Sequence, residues 1–213
     1  MKFFLRALAL SILTFSCKDE VNTPIVTELN PQVGAQIPLE TATRWTQRLD
    51  EKRGQFSRSK TQETIPSQYL CDYLRDINSQ LGAAVHYGLD SEGEVRLLII
   101  KYDQNAHWAE TALDTKSKIT VTKSIAREYC DRYKASNATG PWSYFYGRNI
   151  LSAIVDRGEF ESFALVPAIN DLDEPQLLLY IWLNQVSNGK IAQSEPEVYD
   201  KGFPCPTNCA DEN

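Results

Sequence analysis

Apolar residues recur at helical spacing in four stretches of the chain, and two apolar strand pairs follow them in a repeating order. Leu39, Ala42, Trp45 and Leu49 fall three or four residues apart, so they share one helix face. Glu40 stands near the start of that helix and Gly54 follows its end. A polar loop of Ser, Lys, Thr and Gln runs to Thr64, and Pro66 suits a first helical turn. Tyr69, Leu70, Tyr73, Leu74, Ile77 and Leu81 form a second stripe, closed by Gly82. Ala83 to Leu89 reads as a strand, Asp90 to Gly93 as its turn, and Val95 to Tyr102 as a returning strand. Leu97-Leu98-Ile99-Ile100 is apolar at odd and even positions alike, so both faces of that strand are buried.

The same order recurs downstream. Val121, Ile125, Tyr129 and Tyr133 form one helix stripe, and Ile150, Leu151, Ile154 and Val155 form another, stopped by Gly158. Phe160 to Ile169 reads as a strand, Asn170 to Pro175 as a turn, and Gln176 to Leu183 as a second strand apolar on both faces. In this register Trp45 matches Tyr129, Arg48 matches Arg132, Leu49 matches Tyr133, and Ile99 matches Ile181. The expected fold class is α+β: two helix-helix-strand-strand repeats, over 38–108 and 119–185, whose strands form one antiparallel or mixed four-stranded sheet covered by helices. Residues 186–213 are polar and carry Pro196, Pro204 and Pro206, so they read as a loop-like tail.

The N-terminus changes the picture of where this body sits. Lys2 and Arg6 precede an apolar run, Ala7 to Phe15, which is shorter than the roughly 20 residues a membrane span needs. It has the length of a signal-peptide apolar region ending in a small residue, Ser16. Cys17 follows directly, then Lys18, Asp19 and Glu20. A small residue, a cysteine and an abrupt return to charge resemble the lipobox of bacterial lipoproteins, and of those of the Bacteroidota most. The resemblance implies cleavage after residue 16, acylation of Cys17 and residence in the outer membrane, with the acidic pair similar to that group's signal for the cell surface. Two or more acyl chains hold a protein stably on a membrane, where one does not. Residues 17–37, with Pro24 and Pro31, then read as an extended tether.

Composition excludes one class of partner. The net charge is −6, and it becomes about −8 once Lys2 and Arg6 leave with the signal. An acidic chain without a basic run is unsuited to nucleic acid, whose backbone demands Lys and Arg. The five cysteines reduce to one lipid carrier plus Cys71, Cys130, Cys205 and Cys209, an even set that permits disulfides in an oxidising compartment. Cys205 and Cys209 are close enough to close a small loop; free thiols and a metal pair are the other readings of that spacing.

Catalytic motifs give little. There is no Gly-x-Ser-x-Gly elbow, phosphate-cradling glycine loop or His-Glu-x-x-His. His86 falls in a predicted strand and reads as structural, while His107 lies in a connector. Asp171, Asp173 and Glu174 suit acid/base work or calcium, yet Asp and Asn are expected in a hairpin turn for backbone reasons. The distinctive feature is the cluster Trp142, Tyr144, Phe145 and Tyr146 beside Arg148. Aromatics and Arg dominate binding hot spots, so Trp142, Tyr144, Tyr146 and Arg148 are the candidate contact for a protein or glycan partner, with core packing as the competing reading. Phe145-Tyr146-Gly147-Arg148-Asn149-Ile150-Leu151, its upstream helix and the terminal Phe203-Pro204-Cys205-Pro206-Thr207-Asn208-Cys209 also resemble a family of small uncharacterised Bacteroidota proteins, over 119–209. That resemblance implies no activity and adds no catalytic residue. The expectation is a lipid-anchored envelope protein that binds and does not catalyse, without cofactor or metal; the alternative is a lipid-anchored hydrolase with a carboxylate-based site.

Overall fold

The computed structural model describes residues 29–53, 64–137, 141–158, 160–187, 190–193, 195–200 and 203–205. The signal-like segment, Cys17, most of the tether and Cys209 lie outside them. In chain order the elements are β1 (Ala35–Ile37), α1 (Leu39–Arg53), β2 (Ile65–Pro66), α2 (Ser67–Tyr73), a 3-10 turn (Ile77–Ser79), β3 (Gly82–Leu89), β4 (Val95–Tyr102), β5 (Trp108–Asp114) and β6 (Ile119–Thr122). There follow α3 (Lys123–Ser136), β7 (Ser143–Gly147), α4 (Arg148–Arg157), β8 (Phe160–Ile169), β9 (Pro175–Ser187), β10 (Lys190–Gln193), β11 (Glu197–Asp200) and β12 (Phe203–Cys205). The fold class is α+β, and no helix among the described residues is long and apolar enough to cross a membrane.

The strands form two sheets, not the single sheet expected from the sequence. Sheet I runs β1-β11-β9-β8-β2, with β10 on β9; sheet II runs β12-β7-β3-β4-β5-β6. Every pairing is antiparallel. The reason lies in the doubly apolar strands. β4 and β9 each need cover on two faces, and two sheets placed face to face supply one cover while α1 and α3 supply the other. Between the sheets, Val85, Ile99 and Leu113 pack with Phe163, Leu179 and Ile181, with Leu70 of α2 and Leu74 just after it, and with Ile150 and Ile154 of α4. Outside sheet II, α3 sets Ala126 and Cys130 on Leu98 and Ile100. Outside sheet I, α1 sets Ala42 and Trp45 on Leu178 and Tyr180. Leu98 and Leu178 are wholly buried, each contributing about 2 kcal/mol of transfer free energy.

The repeat is present and its halves exchange strands. Reading sheet I as β1-β11-β9-β8-β2 and sheet II as β6-β5-β4-β3-β7 brings equivalent strands into the same order. Each sheet takes its three-stranded meander from one half and two flanking strands from the other. β2 of the first half pairs β8 of the second, and β7 of the second pairs β3 of the first. Each unit is therefore strand-helix-strand-helix and three strands, longer than the helix-helix-strand-strand unit seen in the sequence. The hairpins fix the register: Leu89 faces Val95, and Ile169 faces Pro175. Ile99 then corresponds to Leu179, two residues from the expected Ile181.

The hairpin turns share one chemistry. Asp90 Oδ1 accepts from the amides of Glu92 and Glu94, each at 2.9 Å. Asn170 Oδ1 does the same for Leu172 and Glu174, again at 2.9 Å. Asp103 repeats it for Asn105 and His107 between β4 and β5. The fourth residue of each turn is left-handed: Gly93, Ala106 and Asp173 have φ of 80°, 64° and 65°.

Several expectations fell short of the structure. The second predicted helix stops at Tyr73, and the chain continues through the 3-10 turn to Gly82. The connector after Tyr102 holds β5 and β6, and the tail holds β10, β11 and β12. The predicted cluster at 143–147 is β7, wholly buried and paired with β3 on one side and β12 on the other.

Candidate functional site

The four residues expected to form a contact surface do different work. Tyr144 and Tyr146 are each 2% exposed and belong to the core between the sheets. The Tyr146 hydroxyl donates to the backbone oxygen of Leu177, tying β7 of sheet II to β9 of sheet I. Arg148 is half-buried; its backbone amide donates to Leu81 and its Nη1 to Asn78 at 3.2 Å, so it fastens α4 to the first half. Trp142 is half-buried, its Nε1 donates to Asn137 at 2.8 Å, and Lys134 lies over its ring. The expected contact of Trp142, Tyr144, Tyr146 and Arg148 is therefore corrected: a strand running between two others directs Tyr144 and Tyr146 inward, and only Trp142 stays near the rim.

A cleft of about 410 Å³ opens beside Trp142, where the ends of the two sheets meet. One wall is Tyr87 of β3, Tyr133 of α3 and Tyr144 of β7. The rings of Tyr87 and Tyr133 stack, with centroids 5.2 Å apart and planes 19° from parallel, and Tyr144 meets Tyr87 edge-on at 6.4 Å. The other wall is the turn end of the β8–β9 hairpin, Pro167, Ile169 and Pro175, with Ala168, Gln176 and Leu49 of α1. Asn137 and Pro141 stand at the mouth. The cleft takes one member of each repeat pair from each half: Leu49 with its match Tyr133, and Tyr87 with Pro167, its equivalent in the hairpin register. It thus sits where the two halves face each other across their pseudo-twofold relation.

Among the described residues the cleft has no charged side chain in its lining. Burial pushes the Tyr133 and Tyr144 hydroxyls up from the ordinary phenol value, so both keep their protons across the physiological range. Gln176 is 5% exposed, and its Oε1 accepts no hydrogen bond among the described residues. A buried amide oxygen without a donor is costly. Arg48 Nε, on α1, is likewise buried without an acceptor among the described residues, while the Trp45 indole lies close enough to Asp171 to help hold its carboxyl down.

Other chemistry-bearing groups serve the fold. Asp171 is bound by Arg44 at 2.8 Å, and Asp173 by Arg48 at 2.6 Å and Lys52 at 2.9 Å. The hydrogen bond from Arg44 holds the Asp171 carboxyl down, to about 2. These carboxylates pin the β8–β9 turn to α1, much as Arg132 of α3 reaches the Leu89 carbonyl at the β3–β4 turn. That match restates the expected pairing of Arg48 with Arg132. His86 is buried beneath α3, its Nε2 2.9 Å from the Tyr102 hydroxyl, which also accepts from Trp108 Nε1 at 2.9 Å. Burial pushes His86 down to about 3, so it is neutral and structural, as expected from its place in a strand. Cys71 is half-buried and Cys130, on α3, is buried; of the suspected pair, Cys205 ends β12 and Cys209 lies outside the described residues.

The sequence reading passed over Tyr87, Tyr133 and Gln176 as site residues. The signal for one of them is in the sequence: Tyr133 is the repeat equivalent of Leu49, which lines the same cleft. No family model, characterised protein or solved structure matches this chain, so its residues alone carry the functional argument.

Proposed function

We propose that this is a lipid-anchored envelope protein, tethered through Cys17, whose folded body binds a ligand and does not transform it. The observation that carries the reading is the tyrosine-walled cleft at the seam of the two sheets. Its volume falls at the lower end of the range for small-ligand sites, and its walls combine aromatic and apolar surface with a few polar groups. Of the hairpin carboxylates, Asp171 and Asp173 are engaged by α1 cations and Glu174 accepts from the Asn170 amide at 2.8 Å, which leaves them poor acids and bases. The sequence supports the anchor: an apolar run to Phe15, small Ser16, then Cys17 and charge. Outer-membrane residence, surface exposure and kinship with the small Bacteroidota family are part of the same proposal and rest on those residues.

Two measurements test it. Metabolic labelling with a fatty acid should tag the wild type and not Cys17→Ser; equal labelling overturns the anchor. For the body, ring-labelled tyrosine NMR of the full chain should be recorded with a soluble digest of cell envelope. Shifts at Tyr87 and Tyr133, with the digest recovered chemically unchanged, support a binding cleft. Steady conversion of a digest component overturns it in favour of the hydrolase alternative.

A further inference from the structure

We propose that the ligand of the cleft is a neutral saccharide, a class that rests on the binding reading above and narrows it. Three features select it. Among the described residues no charged side chain lines the cleft, so a phosphate or carboxylate would be desolvated there without a partner from them. Tyr87 and Tyr133, nearly parallel and 5.2 Å apart, stack on one another, so the platform they offer is the outer face of the stacked pair, with Tyr144 set edge-on to Tyr87. Such a platform suits the flat C–H face of a pyranose, which offers apolar surface in the ring plane and hydroxyls at its edge. The polar groups among the described lining residues are few and uncharged: the phenols and the amides of Asn137 and Gln176; the Gln176 Oε1 has neither exposed surface nor a donor among those residues, so it meets a sugar hydroxyl once its side chain turns into the cleft.

The competing occupant is a proline-rich peptide, since aromatic grooves also take extended Pro segments. Those ligands depend on side-chain donors that reach their free carbonyls. Here the indole of Trp142 is spent on the Asn137 carbonyl at 2.8 Å and the Asn137 amide already donates to the Tyr133 carbonyl at 3.0 Å, which leaves the phenols as the main donors. The walls are themselves prolines, Pro141, Pro167 and Pro175, which carry no backbone donor. Their fixed φ keeps the opening in one shape, so little ordering is lost when a rigid ring enters.

The fold alone does not require these rings. Tyr133 occupies the position that Leu49 holds in the other half, and Tyr87 the position of Pro167, so either site accepts a smaller apolar residue. A second cleft, of about 240 Å³, is lined among the described residues by Ile65, Val95, Leu97, Leu165, Thr115 and Lys116, without an aromatic ring.

The test uses the full chain in a zwitterionic detergent, which avoids sugar headgroups. Linear oligomers of glucose, xylose and N-acetylglucosamine, and a proline-rich decapeptide, are each titrated while the tyrosine ring signals are followed. The proposal expects saturable shifts of Tyr87 and Tyr133 with at least one saccharide and none with the peptide. Gln176→Met should weaken that binding about tenfold while raising the melting temperature, because it removes an unsatisfied acceptor. A lowered melting temperature with unchanged binding would give Gln176 a structural role and overturn its part in the site. Shifts from the envelope digest with none from any saccharide overturn the sugar class and leave the binding cleft standing. Shifts from neither overturn both.

Discussion

Sheet I and sheet II are the same arrangement built with different chemistry, and the contrast separates what the fold needs from what it carries. Both set a three-stranded meander between two strands lent by the other half. Both use the same Asx-led hairpin turn, and both seat a helix arginine against a hairpin tip. Beneath α3, sheet II buries the polar trio His86, Tyr102 and Trp108. Beneath α1, sheet I has Ala168, Leu178 and Tyr180, and its charges lie outside, on Arg44, Arg48, Asp171 and Asp173. Shared features are architecture; features confined to one copy are the places to look for pH sensitivity or binding. The tyrosine wall of the cleft is of the second kind.

The largest effect should come from the layer the sheets share. Ile99 and Leu179 are equivalent, 4% and 3% exposed, and both face the central core. Replacing either with Asp buries an unpaired charge and should cost more than about 4 kcal/mol, enough to unfold a marginal domain. Because each sheet is made of both halves, either variant should melt the whole molecule in one transition. A variant of Ile99 that left a separate transition for the second half would break the strand-exchange account.

The next effect sharpens the contrast between the two outer layers. His86 sits at about 3 in the fold against an ordinary 6.5. The unfolded chain therefore binds a proton that the fold refuses, and stability is complete above pH 6.5 and falls as pH drops toward 3. Between pH 7 and pH 5 this amounts to about 2 kcal/mol. Urea unfolding of the wild type should show that loss, and His86→Leu should flatten the curve over the same window. The exposed ion pairs of sheet I should behave otherwise: Arg44→Ala should change melting little, and less still in high salt.

The smallest effect concerns the turns. Ala106 adopts the left-handed conformation that Gly93 fills without strain. Ala106→Gly should stabilise by at most about 1 kcal/mol, the relief of αL strain offset by added freedom in the unfolded chain. A loss of stability would show that the turn between β4 and β5 is not the same device as the hairpin turns.

The legible part of the fold was what periodicity encodes. The stripes of α1, α3 and α4, the turns at Asp90 and Asn170, and the doubly apolar strands all carried strong patterns, and their recurrence showed the repeat. The weakly patterned strands were missed: Trp108–Asp114 holds Glu110 and Thr111 among small apolar residues, and Glu197–Asp200 is four residues of mixed character. Sheet pairing was missed for another reason. Strand exchange is a long-range choice, and a strand of two residues such as β2 has no period from which its partner can be read. The aromatic run at 144–146 looked like a contact surface because its composition is shared by hot spots and cores; only its pairing on both sides decides for the core. The cleft was half legible. The match of Leu49 to Tyr133 named two residues that face the same space, without saying that the space was there.

The exchange Tyr133→Leu puts in the second half the residue that the first half holds at the matching position. It leaves the frame shared by both halves intact and removes one ring of the stacked pair. If the cleft is the binding site and the tyrosines are its added feature, Tyr133→Leu should melt within a few degrees of the wild type and lose saturable ligand shifts at Tyr87. A large drop in melting temperature with binding retained would contradict the account, because it would make the ring part of the frame.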